Sequence, residues 1–298
     1  MGVFNEIVIV GKAKAERERI LNQAFQILHE IDEKMNPRRD DSEIARINRK
    51  GFEKPQEVSG ETFEVIQESV KFFEKSEGAF DITALPLMKL WGFDGGNPHV
   101  PASEEIQGVL PRVGSSQLIL DVKKRKVGFR IPEIGIDLGG ILKGYACDRV
   151  AQFLQREGIE NALVNVGGTI RAYGHSPDRR PWRVGIRHPR DPTRTFKVVT
   201  LVNEALATSG DYEVFFVVKG QRYSNILDPR TGYPPAKTVA VSVIAPSALL
   251  ADALSRSFFV LGPEKAPFLA NQFREIRWYL IYLANGDHFK TLSSEPAF

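Results

Sequence analysis

At 298 residues, with 42% hydrophobic and 26% charged content, the chain can bury a core without disulfides or metal staples. The single cysteine, Cys147, excludes an internal disulfide framework and a multi-cysteine metal site, and no run approaches the roughly twenty apolar residues that a bilayer span needs. The net charge of +3 is small and the Lys and Arg residues are scattered; their densest run, Lys123-Lys124-Arg125-Lys126, reads as a solvated hairpin tip, so nucleic acid is not an expected partner.

Phe4 to Gly11 reads as a strand ended by glycine. From Ala13 to about Lys34, Ile20, Leu21, Ala24, Phe25, Ile27, Leu28 and Ile31 recur at helical spacing. Asp41–Asn48 is predicted as a short helix with a natural cap at its start, and Gly60–Ser76 as an amphipathic helix with Gly78 as its C′ residue. Leu118–Asp121 and Lys126–Phe129 pattern as a β-hairpin. Ile136–Gly144 leads into a helix to Glu157, in which Cys147 reads as a small buried residue rather than a nucleophile. A strand over Ala162–Asn165 ends in Gly167-Gly168, and strands follow at Trp182–Ile186, Thr195–Leu201, Ala205–Ser209, Glu213–Lys219 and Thr238–Ala245. A helix runs from Ser247 to about Leu261 and a Pro-bounded helix covers Ala266–Phe273. Strands at Arg277–Tyr282 and His288–Leu292 close the chain. The irregular alternation, without a fixed-period repeat, favours an α+β fold over a parallel βαβ array.

Chemistry is densest at Tyr223–Pro234, where Asp228-Pro229-Arg230-Thr231-Gly232 places an acid, a guanidinium and a hydroxyl in one turn. Gly139-Gly140…Lys143-Gly144 opens a helix, which suits either a phosphate held by amides and the Lys143 ammonium or tight helix–strand packing. Asn165-Val166-Gly167-Gly168-Thr169 has the same two readings. Asp252, early in an apolar helix, serves either the helix dipole or a hard cation. Trp91-Gly92-Phe93 offers aromatic walls to a planar ligand, or simply core. The five histidines lack zinc-ligand spacing, and only His188 sits in a motif-like turn. No Gly-x-Ser-x-Gly elbow marks a serine hydrolase.

The order of these pieces is informative. Met1-Gly2 precedes the first strand, followed by Asp41–Asn48, Gly78-Ala79-Phe80-Asp81-Ile82-Thr83, Pro86-Leu87…Leu90-Trp91-Gly92-Phe93 and Ile136–Gly144. Asn165–Gly168, Ala207–Tyr212, the Asp-Pro-Arg-Thr-Gly turn and Ala251–Ser255 complete the series. With this series the chain resembles the FAD:protein FMN transferases, the ApbE flavin transferase family, over nearly its whole length. The resemblance implies one compact α+β domain over residues 1–298, with mixed or antiparallel sheets packed with helices. It implies binding of FAD and a divalent cation, usually Mg²⁺, release of AMP, and FMN esterified to a threonine or serine of a target flavoprotein. Family targets are flavin-bearing subunits of membrane redox pumps and related secreted flavoproteins; some relatives hydrolyse FAD instead.

Carried over residue by residue, Met1, Ala79, Phe80, Asp81, Asp137, Lys143 and Ile226 fall on flavin-nucleotide positions, and the Gly140 carbonyl and Asp252 on metal-ligand positions. Asn225, Asp228 and Lys143 are the catalytic candidates. Three positions depart from the family pattern. Asn225 stands where the family has the histidine that serves as base, and an amide orients a hydroxyl without accepting its proton. Arg256 replaces a threonine or aspartate metal ligand; a guanidinium cannot ligate a cation, but it could hold the pyrophosphate itself. Weaker Mg²⁺ dependence than the family norm is therefore expected. Arg38 stands where an aromatic residue commonly stacks on the flavin nucleotide, and its guanidinium plane could stack in its stead.

Two functions follow: an active FMN transferase with its base supplied elsewhere, by Asp228, His188 or the substrate's surroundings, or an FAD-binding carrier, sensor or slow hydrolase on the same fold. A leader removed from a longer precursor would imply a periplasmic, inner-membrane-anchored protein, and its absence a cytoplasmic one. No signal peptide is visible in the chain.

Overall fold

A computed structural model of the chain describes residues 2–11, 13–284 and 288–295. In chain order its elements begin with β1 (Asn5–Ile9), α1 (Lys14–Met35), α2 (Glu43–Lys50), β2 (Gln56–Glu57), α3 (Gly60–Lys75), α4 (Leu85–Leu90) and α5 (Ser103–Val109). Next come β3 (Leu118–Asp121), β4 (Lys126–Phe129), α6 (Leu142–Arg156), β5 (Ala162–Val166), β6 (Thr169–Tyr173), β7 (Trp182–His188) and β8 (Asp191–Leu201). Last are β9 (Glu204–Gly210), β10 (Phe215–Val218), β11 (Gln221–Ser224), β12 (Thr238–Ala245), α7 (Ala248–Ala270), β13 (Arg277–Leu283) and β14 (Phe289–Ser293). They cluster into two compact units, one of Met1–Ile31, Ile141–Tyr212 and Lys237–Phe298, the other of Asp32–Gly140 and Glu213–Ala236.

The first unit is built on a seven-stranded sheet in the order β1-β5-β6-β9-β12-β13-β14, with every neighbouring pair antiparallel. β12 is buried at all of its positions, as a strand covered on both faces must be. α6 and α7 pack on β5, β6, β9 and β12. Ile170, Leu206 and Ile244, in register across three strands, share an apolar layer with Trp182, Val184, Ile186, Val199 and Leu201 of the β7–β8 ribbon. Along β7 buried and exposed residues alternate, the pattern of a ribbon with one covered face.

Cys147 is fully buried in α6, its thiol donating to the Thr169 carbonyl at 3.2 Å, and burial pushes its pKa well above the ordinary thiol value. The native protein is therefore expected to be silent to a thiol-specific reagent and to react once in denaturant. Prompt titration of one thiol in native buffer would contradict this packing.

In the second unit, side-chain caps start the helices. The Ser42 hydroxyl accepts the Ala45 N–H at 3.0 Å, and the Ser59 hydroxyl accepts that of Thr62 at 3.3 Å. Glu43 ties the two starts together by accepting the Ser59 N–H at 2.8 Å and O–H at 2.9 Å. α3 ends as expected: Gly78, at φ 78°, returns its N–H to the Phe73 carbonyl at 2.9 Å. A three-stranded sheet in the order β2-β4-β3 and the β10–β11 ribbon complete the unit. Its core groups Leu87, Trp91, Phe93, Ile106 and Leu227, with Phe216 and Tyr223 of the ribbon packed against them.

Most predicted elements stand within two residues of their sequence bounds, though β8 begins at Asp191 and not Thr195. Five were missed: α4, α5, β2, β6 and β11. α4 and β2 are too short for periodicity to register. Gly167 (φ 56°) and Gly168 (φ 86°) make a two-residue left-handed turn that pairs Val166 with Thr169, so the double glycine joins two hairpin strands. Lys219 (φ 50°) and Gly220 (φ 81°) do the same between β10 and β11. The two helices predicted after Ser247 form one kinked element, broken at Gly262 (φ 70°, ψ −176°) and restarted by Pro263. Among the described residues no helix is long and apolar enough to cross a membrane.

Candidate active site

The Asp228–Tyr233 turn is closed from within. The Asp228 carbonyl accepts the N–H groups of Thr231 (3.2 Å) and Gly232 (2.8 Å), while the Asp228 N–H reaches the Tyr233 carbonyl at 2.8 Å. Arg230 brings its backbone N–H (2.9 Å), Nε (2.8 Å) and Nη2 (2.8 Å) to the Asp228 carboxylate. That carboxylate is consequently committed to shaping the turn. Gly232 sits at φ 78°, and a Cβ there would collide with Ile106. Trp91, 0% exposed, donates its indole N–H to the Gly232 carbonyl at 2.8 Å. Of the two readings of Trp91, core is the one the structure bears out: the indole anchors the turn. Asn225 enters the turn from β11 with its N–H on the Val214 carbonyl at 3.0 Å. No hydrogen bond within the described residues takes up its side-chain amide.

In the same unit Asp81 gathers four donors: the N–H and O–H of Thr83 (2.8 and 2.7 Å) and those of Ser115 (3.1 and 2.6 Å). Burial nonetheless raises its pKa, and the hydrogen bonds pull against that rise. Ala79, Phe80 and Ile226 are buried, which leaves backbone groups as the polar contacts they can offer a nucleotide. Asn48 brackets Ile136 by accepting its N–H (2.8 Å) and donating to its carbonyl (2.9 Å), fixing the residue before Asp137. Asp137 in turn accepts the Gly139 N–H at 2.6 Å. Arg38 is 64% exposed and paired with Asp94 at 3.0 Å.

The first unit holds Lys143, Asp252 and Arg256. α6 and α7 cap one another. Asp148 of α6 accepts the Ala248 and Leu249 N–H groups at the start of α7 (both 2.9 Å), and Asp252 of α7 accepts the Gly144 N–H at the start of α6 (3.0 Å). Asp252 is 4% exposed; burial raises its pKa, and Lys143, the Gly144 N–H and Arg256 draw it back. The dipole that Asp252 serves is thus that of α6, its own helix being served by Asp148. Thr169, 1% exposed, lies beside the same carboxylate, and its hydroxyl also draws the Asp252 pKa down. Among the described residues no group of three or more His, Cys, Asp or Glu is placed to hold a metal ion.

A family model described as the ApbE family matches residues 1–280. The chain belongs to the ApbE family. It is 33% identical over 292 residues to the FAD:protein FMN transferase of Haemophilus influenzae, covering 95% of this chain and 84% of that protein. It is 35% identical over 260 residues to the protein of the same name from Vibrio cholerae, covering 86% and 77%. The solved flavin transferase ApbE from Vibrio cholerae is similar with a TM-score of 0.88 at 33% identity, covering 99% of this chain and 94% of that one. The ApbE protein of Thermotoga maritima is similar at 0.86 and 34%, covering 95% and 92%.

Within this ApbE-family chain the candidate residues divide between the units. Arg38, Ala79, Phe80, Asp81, Asp137, Gly140, Asn225, Ile226 and Asp228 fall in the second, Lys143 and Asp252 in the first. Met1 lies outside the described residues. Ser115 and Asp148 were missed, because nothing local to either marks it as the partner of a distant backbone or carboxylate. Asn48 closes the Asp41–Asn48 motif, where an amide in place of an apolar residue is the local signal for its bracket on Ile136.

Proposed function

We propose that this chain is an FAD:protein FMN transferase acting through one domain that spans residues 1–298. What carries the reading is likeness, over nearly the whole chain, to relatives bearing that name. In the reaction, a threonine or serine hydroxyl of a target flavoprotein attacks the phosphorus on the riboflavin side of FAD. A new phosphoester bond forms, the pyrophosphate P–O bond breaks, and AMP leaves with the bonding pair. Lys143 meets the phosphate charge, as catalysis of phosphoryl transfer demands. Asp81 and Asp137 shape the loops of the nucleotide site, with Ala79, Phe80 and Ile226 beside them.

Asn225 orients the hydroxyl through its amide oxygen but takes no proton. Asp228 is spent on Arg230, so the proton passes to the departing AMP phosphate. Asn225 is also the observation that favours a second reading: an FAD-binding protein of the same fold with weak transfer or slow hydrolysis.

The family's Mg²⁺ fits these residues poorly. Mg²⁺ demands near-octahedral oxygen ligation, whereas the Asp252 carboxylate already takes an N–H and stands within the electrostatic reach of Lys143 and Arg256. The test is incubation with FAD, Mg²⁺ and a target domain, following AMP release and covalent flavin. Tight FAD binding with neither product would leave the second reading standing and the first overturned.

A further inference from the structure

We propose that the outer edge of β10 receives an extended segment of the target flavoprotein as an added strand, which carries the acceptor threonine or serine to Asn225. The proposal rests on the transferase reading and names how the protein substrate is held.

The β10–β11 ribbon has two strands, so among the described residues β10 has a sheet neighbour on one side only. The register fixes which of its main-chain groups face away. Phe215 pairs with Ser224, which puts Val214 opposite Asn225, and the Asn225 N–H on the Val214 carbonyl at 3.0 Å makes that a hydrogen-bonded pair. Such pairs alternate along an antiparallel ladder. Phe216 and Val218 therefore also bond to β11, whereas Phe215 and Val217 turn their N–H and C=O groups outward. Those outward groups match the main chain of another strand. The side chains flanking the edge are apolar: Val214 (49% exposed), Phe215 (40%), Val217 (54%) and Val218 (39%) are four exposed residues among five. An edge with neither charge nor proline across 214–218 is one that folds ordinarily avoid leaving uncovered. It is also held firmly. Phe216 stacks on Tyr223 with ring centroids 5.3 Å apart, both pack against the Trp91 core, and the Arg222 guanidinium lies 4.0 Å over the Phe215 ring. The same ribbon runs directly into Asn225, so the open edge and the hydroxyl position belong to one continuous element. An added strand lies two strand spacings, about 10 Å, from β11, a distance that an extended chain covers in about three residues. The acceptor hydroxyl is thus placed about three residues outside the paired stretch.

The test uses the full chain with a target domain. Val217→Pro removes one outward N–H and leaves the ladder to β11 whole, because the Val217 N–H takes no part in it. The variant is expected to raise the KM for the target domain roughly tenfold or more, with FAD affinity, read by quenching of flavin fluorescence, unchanged. If Val217→Pro does not fold, Val217→Lys serves, with a smaller rise of the same kind. Peptides spanning the acceptor segment give an independent reading. N-methylation of alternate amides, one set at a time, is expected to abolish acceptance for one set and spare the other, the two-residue period of a paired strand. An unchanged KM in the folded variants, or equal effects of the two methylated sets, would overturn the proposal while wild-type transfer left the transferase reading intact. So would a wild-type dimer that Val217→Pro turns into a monomer, which would give the edge to a second copy of the chain. No transfer by the wild type would overturn both.

Discussion

Asn225→His is expected to raise the rate of flavin transfer by roughly 100-fold, the low end of what a positioned general base contributes. Asn225 follows β11 directly, and its backbone is held by the Val214 carbonyl at 3.0 Å. The neighbouring turn is fixed by Asp228, Arg230 and the Trp91 indole, so a new side chain at 225 inherits a defined direction. Imidazole there can accept the hydroxyl proton that the amide cannot. The measurement is kcat/KM for AMP release with a target domain present, beside the FAD affinity of the same variant. A variant that binds FAD normally and transfers no faster would remove Asn225 from the reacting hydroxyl.

Gly144→Ala is expected to lower the unfolding free energy by about 3 kcal/mol, the upper end of ordinary overpacking. A Cβ at Gly144 would collide with the Ala248 carbonyl oxygen and lie 2.6 Å from its carbon and 2.7 Å from the Leu249 Cα. These are backbone atoms at the start of α7, held in place by Asp148. α6 can yield only by surrendering the Gly144–Asp252 bond. Urea unfolding monitored by tryptophan fluorescence provides the test. Gly108→Ala, where the added Cβ meets nothing within 4 Å, serves as the control that leaves stability level or slightly higher. An unchanged midpoint for Gly144→Ala would mean that the two helices do not pack as closely as described.

Local chemistry was legible in the chain and long-range pairing was not. Ser42 as a cap, Gly78 as a helix terminator and the Lys123–Lys126 hairpin tip each depend on residues within one turn of themselves, where sequence patterns carry physical meaning. The Asp-Pro-Arg-Thr-Gly turn could be read as a turn, but its anchor, the Trp91 indole, lies 141 residues away. The resemblance puts Asp81 at a flavin-nucleotide position, but the partner that its carboxylate accepts from, Ser115, lies 34 residues on. Asp148 and Asp252 sit inside helices with no local motif, and their reciprocal capping exists only once α6 and α7 are packed. β6 escaped because double glycine signals a ligand loop and a tight hairpin equally well. The family resemblance supplied what periodicity could not, the order of the motifs along the chain.

Transfer of FMN to a protein fixes the ratio of AMP released to flavin covalently attached. After incubation with FAD and a target domain, AMP is quantified by chromatography and protein-bound flavin by intact mass. One AMP per flavin ester on a target threonine or serine is expected, with both lost when that hydroxyl is replaced by alanine. AMP accumulating without attached flavin, or FAD bound with no AMP formed, would contradict it.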